Sequence, residues 1–235
     1  MTLADGATTT VHVARHGAAR VGLRVAVLPR PMPLAQWCAE TGVTEALVGG
    51  FYVRPHGTPL GELRTGGVKR RHEPFDAPWD ALRACVHIAG GEVRIAQRDE
   101  IPAEPPGDLL QAGPLLVSSG AVVGGDDEGF SAGAGQFDSD ITDGRYPRAA
   151  LGVCADGSLL AVAVDGRSDL DCGLTIGELA AALVDFGATT AINLDGGGST
   201  TLVCGGRLAN VPREVHGIEI AGGRAVSTAL VFGPR

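Results

Sequence analysis

Apolar and polar residues alternate over residues 9–14 and 21–28, and a period of two predicts strands because every second side chain then falls on one face of a sheet. The pair reads as a hairpin joined around Gly17, closed by Pro29, Pro31 and Pro33. Residues 34–40 predict a short helix stopped by Gly42, and an apolar strand at 46–48 then runs into the bend Gly49-Gly50-Phe51-Tyr52. Residues 86–89 and 93–96 flank Gly90-Gly91 as a hairpin. Residues 149–155 and 158–165 flank Asp156-Gly157, a pair that suits positive φ at both turn positions, and give a further hairpin. Residues 124–146 are polar, glycine-rich and aperiodic, and a lid or excursion is expected there.

Thr175-Ile176-Gly177-Glu178 has the spacing of a capping box, and Ile176, Leu179, Ala180 and Leu183 follow at helical spacing until Gly187. A strand is then predicted at 189–195, a bend at Gly196-Gly197-Gly198, a second strand at 199–203 and a closing apolar strand at 225–232. The expected fold is α+β: a mixed, mostly antiparallel sheet with hairpins and one long amphipathic helix packed on it. A single domain over residues 1–235 suits that length.

Composition narrows the picture. Hydrophobic residues at 44% can fill a core, which excludes a disordered chain, and 36 glycines without a triplet period exclude collagen. A net charge of −8 with Lys69 as the only lysine leaves no cationic face for a duplex, so no nucleic-acid partner is expected. Arginines supply the other cations, and their planar forks suit a small anionic ligand. Five widely spaced cysteines without a CxxC pair read as free thiols and not as a zinc site. No apolar stretch reaches a membrane span and the arginines of the first thirty residues interrupt any signal-like block, so a cytoplasmic protein with no membrane partner is expected.

Candidate chemistry gathers at the ends of predicted strands. Along residues 191–195 the alternation places Asn193 and Asp195 on one face and Ile192 and Leu194 on the other. The glycines Gly196, Gly197 and Gly198, with the Ser199 and Thr200 hydroxyls, are candidates for an anion-binding concavity. A plain hairpin with a loose turn explains the same residues about as well. Asp165, Gly166 and Arg167 follow the strand at 158–164, with Asp169 and Asp171 close by. That run lacks the spacing of a calcium loop, and neither a metal nor a cofactor is expected. Arg148 precedes a strand, and Glu62 offers a second carboxylate; a surface arginine and an exposed strand acid are the plainer readings. No G-x-S-x-G or H-E-x-x-H pattern appears.

In order along the chain, Gly49-Gly50-Phe51-Tyr52, Ala112 to Leu116, Arg148 to Gly152, Val164 to Arg167, Ala191 to Thr201, Asn210-Val211-Pro212 and Arg224 to Leu230 together resemble the phosphodiester glycosidase family over nearly the whole chain. The resemblance implies hydrolysis at the anomeric carbon of a sugar 1-phosphodiester, with Asn193 to Ser199 at the active site. Asp195 is then the carboxylate at the sugar and Asn193 its orienting neighbour. Gly50, Arg148, Arg167, Thr200 and the run from Gly196 to Ser199 hold substrate, and Asp165 or Glu62 supplies the second carboxylate. The implied partner is a small sugar phosphodiester or related sugar phosphate. Val48 departs from the asparagine usual before Gly-Gly in the family, and a valine cannot hydrogen-bond a substrate. Two other readings stay open: a non-catalytic sugar-phosphate binding protein and a metal-dependent phosphodiesterase. Family members are commonly exported, whereas the expectation here is a cytoplasmic role in sugar-phosphate metabolism, within a biosynthetic pathway.

Overall fold

The computed structural model describes residues 1–123 and 144–235. Most of the excursion expected at 124–146 therefore lies outside the described residues. Three antiparallel sheets dominate. The first has six strands, in the spatial order Val11–His16, Leu159–Val164, Arg148–Cys154, Ala188–Asn193, Leu115–Ser118 and Ala121–Val122. The second holds five, from Val68–Lys69 through Leu63–Thr65, Asp108–Gln111 and Ala84–Ala89 to Glu92–Gln97. The third, also five, runs from Arg207–Leu208 through Leu202–Cys204, Ala46–Val48 and Ala225–Pro234 to Val21–Pro33.

This corrects the α+β expectation: the protein is mostly β, with 44% strand against 14% helix. Among the described residues there is no long amphipathic helix. The capping box does form, with Thr175 accepting from the Glu178 N–H and Glu178 accepting from the Thr175 N–H, but the helix it opens is only the ten residues Ile176–Asp185. Gly187, at φ 93°, follows its end, and the β-branched Thr189 and Thr190 resume strand. Nor is the sheet mixed. Leu159–Val164 and Ala188–Asn193 run parallel to each other, but each pairs antiparallel with Arg148–Cys154 lying between them.

The opening hairpin around Gly17 is also absent. Val11–His16 pairs with Leu159–Val164 in the first sheet, and Val21–Pro33 pairs with Ala225–Pro234 in the third. Alternation identified both strands but carries no information on their partners. The Gly90-Gly91 hairpin is present, with φ of 59° and 83° at the turn. At Asp156-Gly157 the hairpin forms with only Gly157 left-handed, at φ 75°; Gly157 N–H donates to Cys154 O and Cys154 N–H to Ser158 O, a longer turn with a glycine bulge.

The first sheet is buried on both faces, which explains its unbroken apolar run Leu159 to Val164. Ala149, Leu151, Ala161, Ala163, Ile192 and Leu194 enter the main core shared with the other two sheets. Ala150, Leu160, Val162, Val164 and Ala191 point the opposite way, under Leu179, Ala180 and Leu183 of the Ile176–Asp185 helix.

Candidate active site

Antiparallel pairing decides where the polar residues meet. Because Arg148–Cys154 runs against both neighbours, its first residue lies beside the last residues of Leu159–Val164 and Ala188–Asn193: Arg148 is opposite Val164, and Ala150 is opposite Asn193. One edge of the sheet thus collects Arg148, the Asp165–Arg167 turn and the run from Asn193 onward. A narrow cleft of about 20 Å³, room for about one water, is lined there by Phe51, Tyr146, Arg148, Arg167, Asn193 and Gly197, among others.

Asp195 is 9% exposed. Its N–H donates to Gly49 O at 3.1 Å, and its Oδ1 accepts from Gly196 N–H at 2.9 Å. Burial pushes its pKa up to about 6, against the opposing pull of the Ser199 hydroxyl, the Arg224 charge, the Gly196 N–H and the Arg54 charge. Polar and cationic groups thus act on the carboxylate, but burial outweighs them. Among the described residues, Asn193 Oδ1, Asp195 Oδ2, Ser199 Oγ and Thr200 Oγ1 are all buried without a hydrogen-bond partner. Four such atoms within eight residues are an unusual concentration, since buried polar groups are nearly always satisfied. Ser199 Oγ influences the Asp195 carboxylate and the Tyr52 phenol without aligning with either as a full hydrogen bond. Burial, and then the Asp195 charge, push the Tyr52 phenol up.

The glycine loop acts less through its amides than its composition suggests. Gly196 N–H donates to Asp195 Oδ1, Gly197 N–H to Pro147 O, Ser199 N–H to Gly196 O and Thr200 N–H to Gly197 O, so these four amides are spent within the protein. The glycines serve close packing. A Cβ on Gly196 would lie 3.0 Å from Pro147 O, and one on Gly197, at φ 59°, would lie 3.5 Å from the Arg167 guanidinium. Arg167 itself is left-handed at φ 62°, donates to Arg213 O, and lies 5.5 Å from the centre of the Tyr146 ring. Arg148 is buried, donates to Leu174 O and Gly144 O, and reaches the same ring at 5.8 Å. Gly50 N–H donates to the Thr228 hydroxyl, so that amide too has a protein partner.

The other two candidate carboxylates have partners within the protein. Asp165 is held by His12 Nε2 at 2.8 Å on one oxygen and by Val211 N–H at 2.7 Å on the other, which fastens the first strand and the segment at 210–212 to the sheet edge. Glu62 lies between Arg64 and Arg98 at 2.7 and 2.6 Å and lines a separate cavity of about 330 Å³ with His72, Phe75 and Gln111. Burial works to raise its pKa, but the two arginines outweigh it and hold the group below the usual range. Asp171 accepts from Thr10 N–H and pairs with Arg213. No group of three or more His, Cys, Asp or Glu among the described residues is placed to hold a metal ion. Val48 is fully buried in the main core, its N–H donating to Thr201 O.

Sequence reasoning does not single out Tyr52, Arg54 and Arg224, which interact electrostatically with Asp195, or Glu214, which lies against Gly198 and pairs with Arg224. The charges of Arg224 and Arg54 reach both Asp195 and Glu214. Arg224 Nε donates to Glu214 Oε1 at 2.6 Å, and Arg224 Nη2 donates to Glu214 Oε2. Tyr52 and Arg224 stand in segments that carry the family resemblance, but nothing local marks Arg54 or Glu214.

An antiparallel β protein that gathers a buried carboxylate, unpartnered hydroxyls and several arginines at one sheet edge is the class that fold and site define. The profile of the phosphodiester glycosidase family matches residues 41–233, and the chain belongs to that family. It is 28% identical over 182 residues to the bovine N-acetylglucosamine-1-phosphodiester alpha-N-acetylglucosaminidase, covering 74% of this chain and 33% of that protein. It is 31% identical over 174 residues to the mouse protein of the same name, covering 71% and 32% respectively. The chain thus spans about a third of the length of these curated relatives. Among solved structures it is similar to the zebrafish catalytic domain of that name, auto-inhibited by its pro-peptide, with a TM-score of 0.69 at 20% identity over 97% of this chain and 83% of that one. A hypothetical protein from Synechocystis gives 0.67 at 18% identity, over 100% of this chain and 61% of that one. At such identities the likeness shows the fold.

Proposed function

We propose that the protein hydrolyses the glycosidic bond of a sugar 1-phosphodiester, releasing the sugar and a phosphomonoester. The observation that carries this reading is the Asp195 carboxylate, buried, with one oxygen fixed by Gly196 N–H and the other lacking a partner among the described residues, at a pKa of about 6. Family membership and the name of the bovine and mouse relatives support the substrate class.

A carboxylate that titrates near neutrality suits proton transfer. The oxygen of a water attacks the anomeric carbon while the carbon–oxygen bond to phosphate breaks, and that electron pair leaves with the phosphomonoester. The proton of the water passes to Asp195. A phosphate whose second pKa is about 6 leaves readily, so little general acid is needed and stabilising separated charge becomes the main task. Arg167, Arg148 and Arg224 face the leaving phosphate, where negative charge grows, while the Asn193, Ser199 and Thr200 oxygens meet sugar hydroxyls.

A panel of sugar 1-phosphodiesters incubated in oxygen-18 water tests the reading. The expected outcome is label on the anomeric hydroxyl, with turnover lost in Asp195→Asn. Label on phosphate would mean cleavage of the phosphorus–oxygen bond. Binding without turnover, indifferent to Asp195→Asn, would mean a binding protein.

A further inference from the structure

We propose that Glu214 makes this site select a singly charged phosphodiester over a doubly charged phosphomonoester, and thereby expels the phosphorylated product. The inference rests on the glycosidase reading above and assigns a discriminating role to a residue outside it.

Glu214 lies directly against the loop that follows Asp195. Its Oε1 would be 2.8 Å from a Cβ on Gly198, so only a glycine there leaves the carboxylate its place. Both of its oxygens accept from Arg224, a two-point pair that occupies one edge of that guanidinium. Oε2 also stands 3.8 Å from Arg167 Nη1. The loop is further fixed to Arg224 by its backbone, since Arg224 N–H donates to Gly198 O at 2.9 Å. A permanent negative charge therefore sits between the two arginines best placed to meet a phosphate.

Coulomb repulsion is proportional to the charge of the ligand. A phosphodiester carries one negative charge, whereas a phosphomonoester carries about 1.5 to 2 at neutral pH. Glu214 thus penalises product up to about twice as strongly as substrate, while still holding Arg224 in position for the diester. Its side chain is 32% exposed, so solvent screens the effect and limits the penalty on a dianion to about tenfold and the discrimination between the two anions to about threefold.

The test uses inorganic phosphate at about pH 8, mostly a dianion, and dimethyl phosphate, a monoanion, each titrated against the full chain by phosphorus NMR. In Glu214→Gln, inorganic phosphate should tighten about tenfold and dimethyl phosphate no more than about threefold. Glu214→Asp, which keeps the charge, should retain the wild-type ratio. Equal shifts for the two anions, no shift for either, or no binding of either in any variant overturns the proposal. Turnover of a sugar 1-phosphodiester panel by the wild type is followed in parallel. Its absence would overturn the glycosidase reading and leave the anion ratio to decide the role of Glu214.

Discussion

The Asp195 N–H donates to the carbonyl of Gly49, at 3.1 Å. This bond ties the loop carrying the buried carboxylate to the bend that carries Tyr52, two segments 146 positions apart in the chain. It joins the two sides of the site into one hydrogen-bonded unit.

Gly49→Ala should break that unit. An added Cβ would come within 2.5 Å of Thr228 Oγ1 and 2.8 Å of the Thr228 carbonyl carbon, and the second of these is backbone that cannot rotate away. A loss of about 1–3 kcal/mol is expected by urea denaturation, together with a fall in kcat/KM as Tyr52 and Asp195 separate.

Asp195→Asn should stabilise the fold while abolishing activity. Above about pH 6 the folded protein holds a buried charge that the unfolded chain hydrates freely; below 3.8 both states are protonated and the penalty vanishes. Native Asp195 thus favours the folded state at low pH, and that advantage is lost as pH rises from 3.8 through about 6. The variant should gain about 2–3 kcal/mol at about pH 8 and almost nothing at about pH 3.5, as read from paired denaturation curves.

The same carboxylate should set the acid limb of kcat/KM at about pH 6, with activity falling as Asp195 takes up its proton. Arg224 is one of the charges that pull its pKa down. In Arg224→Gln the limb should move to higher pH, and an unmoved limb would separate Asp195 from the titration that governs rate.

Glu62→Gln separates the two cavities. The substitution removes the carboxylate shared by Arg64 and Arg98 and leaves buried Arg64 with Glu104 as its remaining charged partner, and a loss of about 1–3 kcal/mol is expected. Because Glu62 faces Arg64 and Arg98 and lines the second cavity, kcat/KM should stay within about threefold of the wild type. A much larger loss would return Glu62 to the chemistry.

What was legible in the chain was local. The Thr175–Glu178 capping box, the Gly90-Gly91 turn and the shared face of Ile192 and Leu194 depend on neighbours within a few residues, and all are present. The length of the Ile176–Asp185 helix was less legible, because apolar spacing does not say where packing on a sheet stops. The sequence placed a carboxylate and hydroxyls at a strand end. It could not tell that the amides of Gly196, Gly197, Ser199 and Thr200 would be consumed within the protein.

By itself, then, the sequence determined alternation, caps, turns and the ordered segments that identify the family, since each is written in contiguous residues. Only the tertiary structure decided that Val11–His16 and Val21–Pro33 join different sheets, that Asp165 is spent on His12 and Val211, and that Glu214 and Arg224 close around the loop beyond Asp195. Strand pairing and ion pairing join residues far apart in the chain, and their energy depends on distance and burial, which no local pattern encodes.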